Sequence, residues 1–254
     1  MSIIDFHTHL DNTWLGHELT PEDKFLSYMD QCNVEIACIF TMEGFYGDCP
    51  RNNDMLVERA HRHSKRFIPF VTVDPKLGDL AVVELERCLG NTLFRGIKFH
   101  TWLQAIAPSM VKETMINLLN CAVDHEVPVI FHDGTPPYAT TFQIANLARW
   151  VPEAKIVLGH SGLSDYVFAV GQLARDLPNL YLCLTGPKSG EINYLVEKAG
   201  IDKVVFGSDL GFSDWRMLPE CIDFVLESGV DQLLMTKIFY NNAFNLLNLN
   251  NRPL

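Results

Sequence analysis

Short apolar runs, rich in β-branched and aromatic residues, alternate with amphipathic stretches along nearly the whole chain. The runs fall at residues 3–6, 34–40, 67–73, 94–99, 127–131, 156–158, 180–184 and 204–206. Each is short and almost continuously apolar, as a strand buried on both faces should be. Between them, apolar residues recur at helical spacing: Phe25, Leu26 and Met29; Met55, Leu56 and Ala60; Met115, Leu118, Leu119 and Ala122; Leu195, Val196 and Ala199. Thr20-Pro21-Glu22-Asp23 predicts a helix start, with Thr20 as N-cap, Pro21 at the first helical position and acids in the first turn.

Eight strands alternating with helices predict an α/β fold, a closed parallel (β/α)8 TIM barrel. Extra helical segments are expected at 214–228 and 231–238, with a short terminal helix at 241–247. A doubly wound open sheet is the other architecture with this alternation. It usually carries a Gly-rich phosphate loop after an early strand, and this sequence has none. The 254 residues contain no linker or low-complexity tract, so 1–254 reads as one domain.

Composition narrows the picture by exclusion. A formal net charge of −11 repels nucleic-acid phosphates and anionic lipid. The densest basic stretch, His61-Arg62-His63-Ser64-Lys65-Arg66, lies where a helix should end and complements its dipole. A small-molecule substrate is therefore expected, with neither nucleic acid nor membrane as partner. The seven cysteines are odd in number and form no C-x-x-C pair, which argues against a disulfide framework or a zinc ribbon. With no signal-like N-terminus and no membrane-length apolar stretch, the expected compartment is the cytoplasm.

The chemistry lies just after the strands, where a barrel builds its active site. The first strand ends in Asp5-Phe6-His7-Thr8-His9, the fourth in Lys98-Phe99-His100, the fifth in His132-Asp133-Gly134, the sixth in Gly159-His160-Ser161-Gly162 and the eighth in Gly207-Ser208-Asp209. Residues two apart on a strand share a face, so His7 and His9 point together into the mouth and can chelate one ion. His132 and Asp209 approach from other strands and can complete a mixed nitrogen and oxygen site. Three or four protein ligands plus water make a catalytic arrangement, in which a divalent ion lowers the pKa of its water to about 7. A lone H-x-H arises easily by chance. Five of nine histidines at strand ends on one face does not. His61, His63 and His125 fall on helices and read as solvated or helix-terminal, while His17 sits in the first loop and is open to either reading. Chemistry alone does not say which of His132, His160 and Asp209 bind the ion and which move protons.

At these residues the chain resembles the amidohydrolase superfamily, and within it the amidohydrolase-2 group of aminocarboxymuconate-semialdehyde decarboxylase and related benzoate-type decarboxylases. The matching stretches are Ile4-Asp5-Phe6-His7-Thr8-His9, Arg66-Phe67-Ile68-Pro69-Phe70 with Val73-Asp74-Pro75, Arg95-Gly96-Ile97-Lys98-Phe99-His100, Val157-Leu158-Gly159-His160-Ser161-Gly162, Val205-Phe206-Gly207-Ser208-Asp209 and Lys237-Ile238 through Asn242-Ala243. The resemblance implies one divalent ion, usually Zn2+, held by His7, His9, His132 and Asp209. It also implies that His160 stands beside the metal's water as general acid/base, and that a homodimer is the family habit. Some superfamily members carboxylate a strand-four lysine to bridge two metals. Lys98 lies on that strand, and is read first as a buried lysine stabilising the mouth through Asp209 or Asp5. Metal-dependent deoxyribonucleases of the TatD type also open with H-x-H, but they carry a glutamate on strand four where this chain has Lys98-Phe99-His100.

Aromatic residues Trp14, Phe45, Tyr46, Trp102, Tyr138 and Phe212 fall in the mouth-side loops and suit a planar organic substrate. His100, Trp102 and Tyr138 are candidate substrate contacts. Arg51 is another, able to grip a carboxylate or simply to stand solvated beside Asp54. Lys188 has the same ambiguity, and Cys49 is read as a loop cysteine. The first functional reading is a metal-dependent hydrolase, in which a metal-activated water assisted by His160 and Asp209 attacks an amide, ester or lactone. The alternative is non-oxidative decarboxylation of an aromatic or unsaturated acid at the same site. A non-catalytic binding barrel is a further reading.

Overall fold

The computed structural model describes residues 1–137, 140–212 and 214–251. Eight parallel strands form the barrel: β1 (Ile3–His9), β4 (Val34–Phe40), β5 (Phe67–Pro69), β6 (Ile97–Phe99), β7 (Val129–Phe131), β8 (Ile156–Leu158), β9 (Leu180–Cys183) and β10 (Val204–Val205). A small antiparallel hairpin, β2 (Thr13–Trp14) and β3 (His17–Glu18), follows β1 and was not expected from the apolar pattern. Its strands are two residues each and lack an apolar run.

The ladders form two arcs, β1-β4-β5 and β6-β7-β8-β9-β10. Single bridges join them. Val71 pairs with Ile97, and Thr8 pairs with Leu210. Lys98 N donates to Val71 O at 2.8 Å and Phe6 N to Phe206 O at 2.9 Å, which closes the circle at both seams. Most strands are shorter than the apolar runs that announced them. Val127-Pro128 illustrates the reason: the approach to the barrel is buried and apolar, but Pro128 has no N–H to give to a ladder.

Helices α1 (Glu22–Gln31), α2 (Cys49–Arg62), α3 (Asp79–Leu89), α4 (Lys112–Asp124), α5 (Thr141–Trp150), α6 (Leu163–Asp176), α7 (Ser189–Ala199) and α8 (Met217–Leu226) ring the strands. The expected Thr20 cap is displaced by one residue: Pro21, in an extended conformation, occupies the cap position without a side-chain bond. The anticipated helix after residue 231 is a 3-10 turn, Gln232–Leu234, then a π-helical turn, Lys237–Asn241, which runs into α9 (Asn242–Leu246).

Side-chain parity divides the core in two. Ile3, Ala37, Ile39, Phe67, Ile97, Val129 and Ile156 pack outward against the helices. Ile4, Phe6, Ile36, Phe40, Ile68, Phe70, Ile130, Val157 and Val205 fill the barrel, closed from below by Ala243, Leu246, Leu247 and Leu249. Strand β1 would keep Thr8 on the inner face by simple alternation. Instead, Asp5 to Thr8 lies opposite Ala37 to Ile39, three steps against two. This bulge reverses the parity beyond Phe6 and turns His7 and His9 inward.

Among the described residues no helix is long and apolar enough to cross a membrane. All seven cysteines are free.

Candidate metal centre

Three side chains at the barrel mouth bring ligand atoms within 4.8 Å of one another: His7 from β1, His160 after β8 and Asp209 after β10. His7 Nε2 and His9 Nε2 each lie 3.3 Å from Asp209 Oδ1. The ring orientations are fixed from behind. A carbonyl can only accept, so His7 Nδ1 donates to Gly159 O at 3.0 Å and His160 Nδ1 to Thr185 O at 3.1 Å. Both rings therefore turn an unprotonated Nε2 towards the centre, the tautomer that a metal requires.

Glycines make the room. A Cβ on Gly159 would stand 2.6 Å from Phe131 O and 3.1 Å from His7 Cε1. On Gly207 it would stand 2.4 Å from Cys183 Sγ and 2.8 Å from His7 Cβ. Asp209 itself has φ +63°, a left-handed conformation that side chains adopt at some cost, and its N–H donates to His7 O at 2.9 Å. Asp5, beneath, accepts from His7 N at 3.2 Å, Ser208 N at 3.1 Å and Ser208 Oγ at 2.5 Å, tying β1 to the loop after β10. Burial pushes the Asp5 carboxyl up to about 7 despite these bonds.

Burial and the neighbouring side chains act in opposite directions on the titratable groups of the mouth. Burial works to raise Asp209, but His7, His9 and His160 around it hold the carboxyl well below its ordinary value. Burial lowers His7, His9, His100 and His132, and brings His160 down to about 4. Lys98, fully buried, donates from Nζ to His7 Nε2 at 2.9 Å and lies 4.8 Å from the centre of the Phe40 ring. Burial lowers its ammonium to about 8.

His132 is placed one ring further out than the expected ligand set required. Its Nδ1 lies 2.9 Å from His160 Nε2, its Nε2 lies 3.0 Å from Thr135 Oγ1, and its ring stacks on His100 with centroids 3.9 Å apart. His160, expected beside the ion, is inside the donor group. The reason is local. Asp133 Oδ1 accepts from His160 N and Asp133 Oδ2 from Gly162 N, each at 2.6 Å, and the left-handed turn Ser161-Gly162-Leu163 swings His160 over the mouth. In the sequence only its position directly after His132 marks Asp133. Asp11 was missed altogether. It accepts from Thr41 Oγ1, Met42 N and Glu43 N and fixes the loop after β4 beside the mouth.

Rings bound the centre in a continuous arc. Trp14 meets Phe212 at 4.8 Å, Phe212 meets His9 at 5.9 Å, His9 meets Phe45 at 6.3 Å, Phe45 meets His100 at 5.2 Å and His100 meets Trp102 at 6.2 Å, all between centroids. His100 is fixed by Leu103 N, which donates to its Nδ1 at 3.3 Å. Arg51 instead lines a groove with Leu15, Tyr46 and Met55. Tyr138 lies outside the described residues.

The donor set suits a cation. His7 Nε2 and Asp209 Oδ1, both electron-pair donors, stand 3.3 Å apart, close to the ligand–ligand edge of about 3.3 Å expected around a zinc-sized ion. Two imidazole nitrogens and a carboxylate oxygen accept zinc or manganese and do not select between them.

The amidohydrolase family model, Amidohydro_2, matches residues 4–249. The chain belongs to the amidohydrolase family. No curated protein matches it in sequence. Among solved structures, this amidohydrolase is similar to the 2,6-dihydroxybenzoate decarboxylase from Rhizobium, with TM-score 0.81, 17% identity and coverage of 98% of this chain and 99% of that one. It is similar to a dihydroxybenzoic acid decarboxylase from Polaromonas sp. JS666, with bound manganese and the inhibitor 2-nitroresorcinol, at TM-score 0.79 and 19% identity, covering 98% and 97%. A third is the 5-carboxyvanillate decarboxylase from Sphingomonas paucimobilis, at TM-score 0.78 and 14% identity, covering 97% and 99%. At these identities the likenesses establish the TIM-barrel fold.

Proposed function

We propose that this amidohydrolase is a metal-dependent, non-oxidative decarboxylase of a planar aromatic or unsaturated carboxylic acid. Hydrolysis, the first reading of the sequence, has less support. The observation that carries decarboxylation is the arc of rings from Trp14 to Trp102 beside the ligand group, with the Lys98 ammonium bonded to His7 behind it. An aromatic wall with a buried cation at its floor suits a flat anion better than an amide or lactone. The decarboxylases among the structural neighbours point the same way.

His7, His9 and Asp209 would hold one divalent ion, leaving the His132–His160 pair for proton transfer. When bound, the ion supplies positive charge that orients the substrate's oxygens and stabilises negative charge on them. In the reaction a proton is delivered to the carbon bearing the carboxylate. The electron pair of the carbon–carbon bond then returns to the substrate as carbon dioxide leaves. His160 is suited to deliver that proton. Burial holds it near 4, so a proton taken on Nε2 is readily given up. Thr185 O keeps Nδ1 protonated throughout, and His132 Nδ1 stands 2.9 Å behind Nε2 as the group through which the proton is replaced. Phe45 and Phe212, each against the His9 ring, would flank the substrate with apolar surface. Lys98 adds a fixed positive charge towards the carboxylate side.

Metal-replete protein incubated with hydroxybenzoic and unsaturated acids should release carbon dioxide. Opening of lactones or esters, with no carbon dioxide from any acid, overturns this reading in favour of hydrolysis.

A further inference from the structure

Glu86, Cys121 and His125, far from the mouth in sequence role, bring a carboxylate oxygen, a sulfur and an imidazole nitrogen within 4.8 Å of one another. Cys121 and His125 are four residues apart, the second capping α4, so their side chains share one face of the helix. Glu86 comes from α3, which packs on α4. His125 Nε2 lies 3.0 Å from Glu86 Oε2, and the Cys121 thiol donates to the same carboxylate. Cys121 is buried, while His125 is half-buried and Glu86 exposed, so the sulfur is shielded but an ion can arrive from solvent. His125 was read from sequence as a helix-terminal histidine. The fold gives it two partners of metal-binding type.

We propose that Glu86, Cys121 and His125 form a second, peripheral site for a borderline-soft divalent cation of the zinc class, clamping α3 to α4. One sulfur, one nitrogen and one oxygen make three protein ligands, leaving a fourth tetrahedral position for water. The ligand–ligand edges of such a site are about 3.3–3.7 Å. The 3.0 Å nitrogen–oxygen separation needs only a small opening, and the sulfur lies within 4.8 Å of both atoms. On binding, a sulfur–metal bond replaces the sulfur–hydrogen bond, and one proton per ion passes to solvent. A thiolate selects zinc or cobalt over manganese, whereas the nitrogen and oxygen donors of the mouth accept manganese as well.

The test is a titration of the metal-free full-length protein with Co2+, read by metal content and by thiolate-to-cobalt charge-transfer absorption in the near ultraviolet. The donors named at the mouth contain no sulfur, so that absorption reports the peripheral site. Two ions per chain and a charge-transfer band are expected. The band should persist in Asp209→Asn, disappear in Cys121→Ser, and need at least about tenfold more cobalt in His125→Ala or Glu86→Gln, whose changes lie at accessible positions and keep the fold testable if Cys121→Ser does not. Mn2+ should load one ion per chain. A single cobalt without the band, or a band unchanged in Cys121→Ser or in His125→Ala, overturns the proposal.

Discussion

On the β1 and β10 side of the mouth, His7, His9 and Asp209 converge on one carboxylate oxygen at 3.3 Å, with Lys98 adding its ammonium 2.9 Å from His7. On the β6 to β8 side, His100, His132 and His160 meet ring to ring: the first two stacked at 3.9 Å, the last two joined nitrogen to nitrogen at 2.9 Å. The first side is charged and immobilised by a bulge, two glycine gaps and the carboxyl of Asp5. The second is neutral, and its protons can shift along a chain from Thr135 through His132 and His160 without a ring leaving its place. In the proposed function one side would hold a cation and the other would move a proton. They share a mouth because both follow strands of one barrel.

The largest expected effect comes from removing the charge of the first side. Asp209→Asn should lower metal affinity and carbon dioxide release by more than the about 10–100-fold that loss of an outer partner causes. Metal content after dialysis, alongside turnover, checks it. His132→Asn addresses the second side. Turnover should fall by about 10²–10⁴-fold, the usual loss of a proton-transfer group, with one ion per chain retained. Loss of the ion instead would move His132 into the holding side, where the family resemblance placed it. Gly207→Ala forces a methyl group 2.4 Å from Cys183 Sγ and Thr185 Oγ1, and should cost about 1–3 kcal/mol in denaturant unfolding, with weakened metal retention because His7 is displaced. Chelation should lower the melting temperature of the wild type, since a ligand that binds only the folded chain stabilises it by mass action. With Mn2+ as the only ion, which the peripheral site does not take, the shift should vanish in a His7→Ala plus His9→Ala variant. Arg51→Ala, on the neighbouring groove, should change kcat/KM by no more than about twofold. A tenfold loss would show that this arginine reaches substrate, at a typical 1.4 kcal/mol.

Much of this was legible because barrel strands advertise themselves as short apolar runs and chemistry follows their C-terminal ends. The runs at 34–40 and 156–158 coincide with β4 and β8. The H-x-H spacing correctly implied that His7 and His9 share a face. Which face was not legible. Ile4 and Phe6 claim the barrel interior, and only the bulge between Asp5 and Thr8 hands it to the histidines. A bulge leaves no mark on an apolar pattern, because it changes pairing and not composition. The ordering of His132 and His160 was hidden for a similar reason. It depends on Asp133 gathering two backbone N–H groups and on a left-handed turn after Gly159, neither of which residue identity alone reveals. The hairpin carrying Trp14 is held by Leu15 N bonding Tyr46 Oη and Thr13 bonding Glu43, tertiary contacts without local periodicity.

The seam where Thr8 meets Leu210 and Asp5 meets Ser208 joins the first ten residues to a segment two hundred positions later. Few contacts in the molecule span more chain, so their closure entropy is among the largest that folding must overcome. The charged side of the mouth straddles this seam, with His7 and His9 on one edge and Asp209 on the other. A nascent or partly folded chain can display every imidazole of the opposite side and still lack a place for the cation. Ion uptake at the mouth should therefore follow closure of the barrel, arriving with β10 rather than guiding β1.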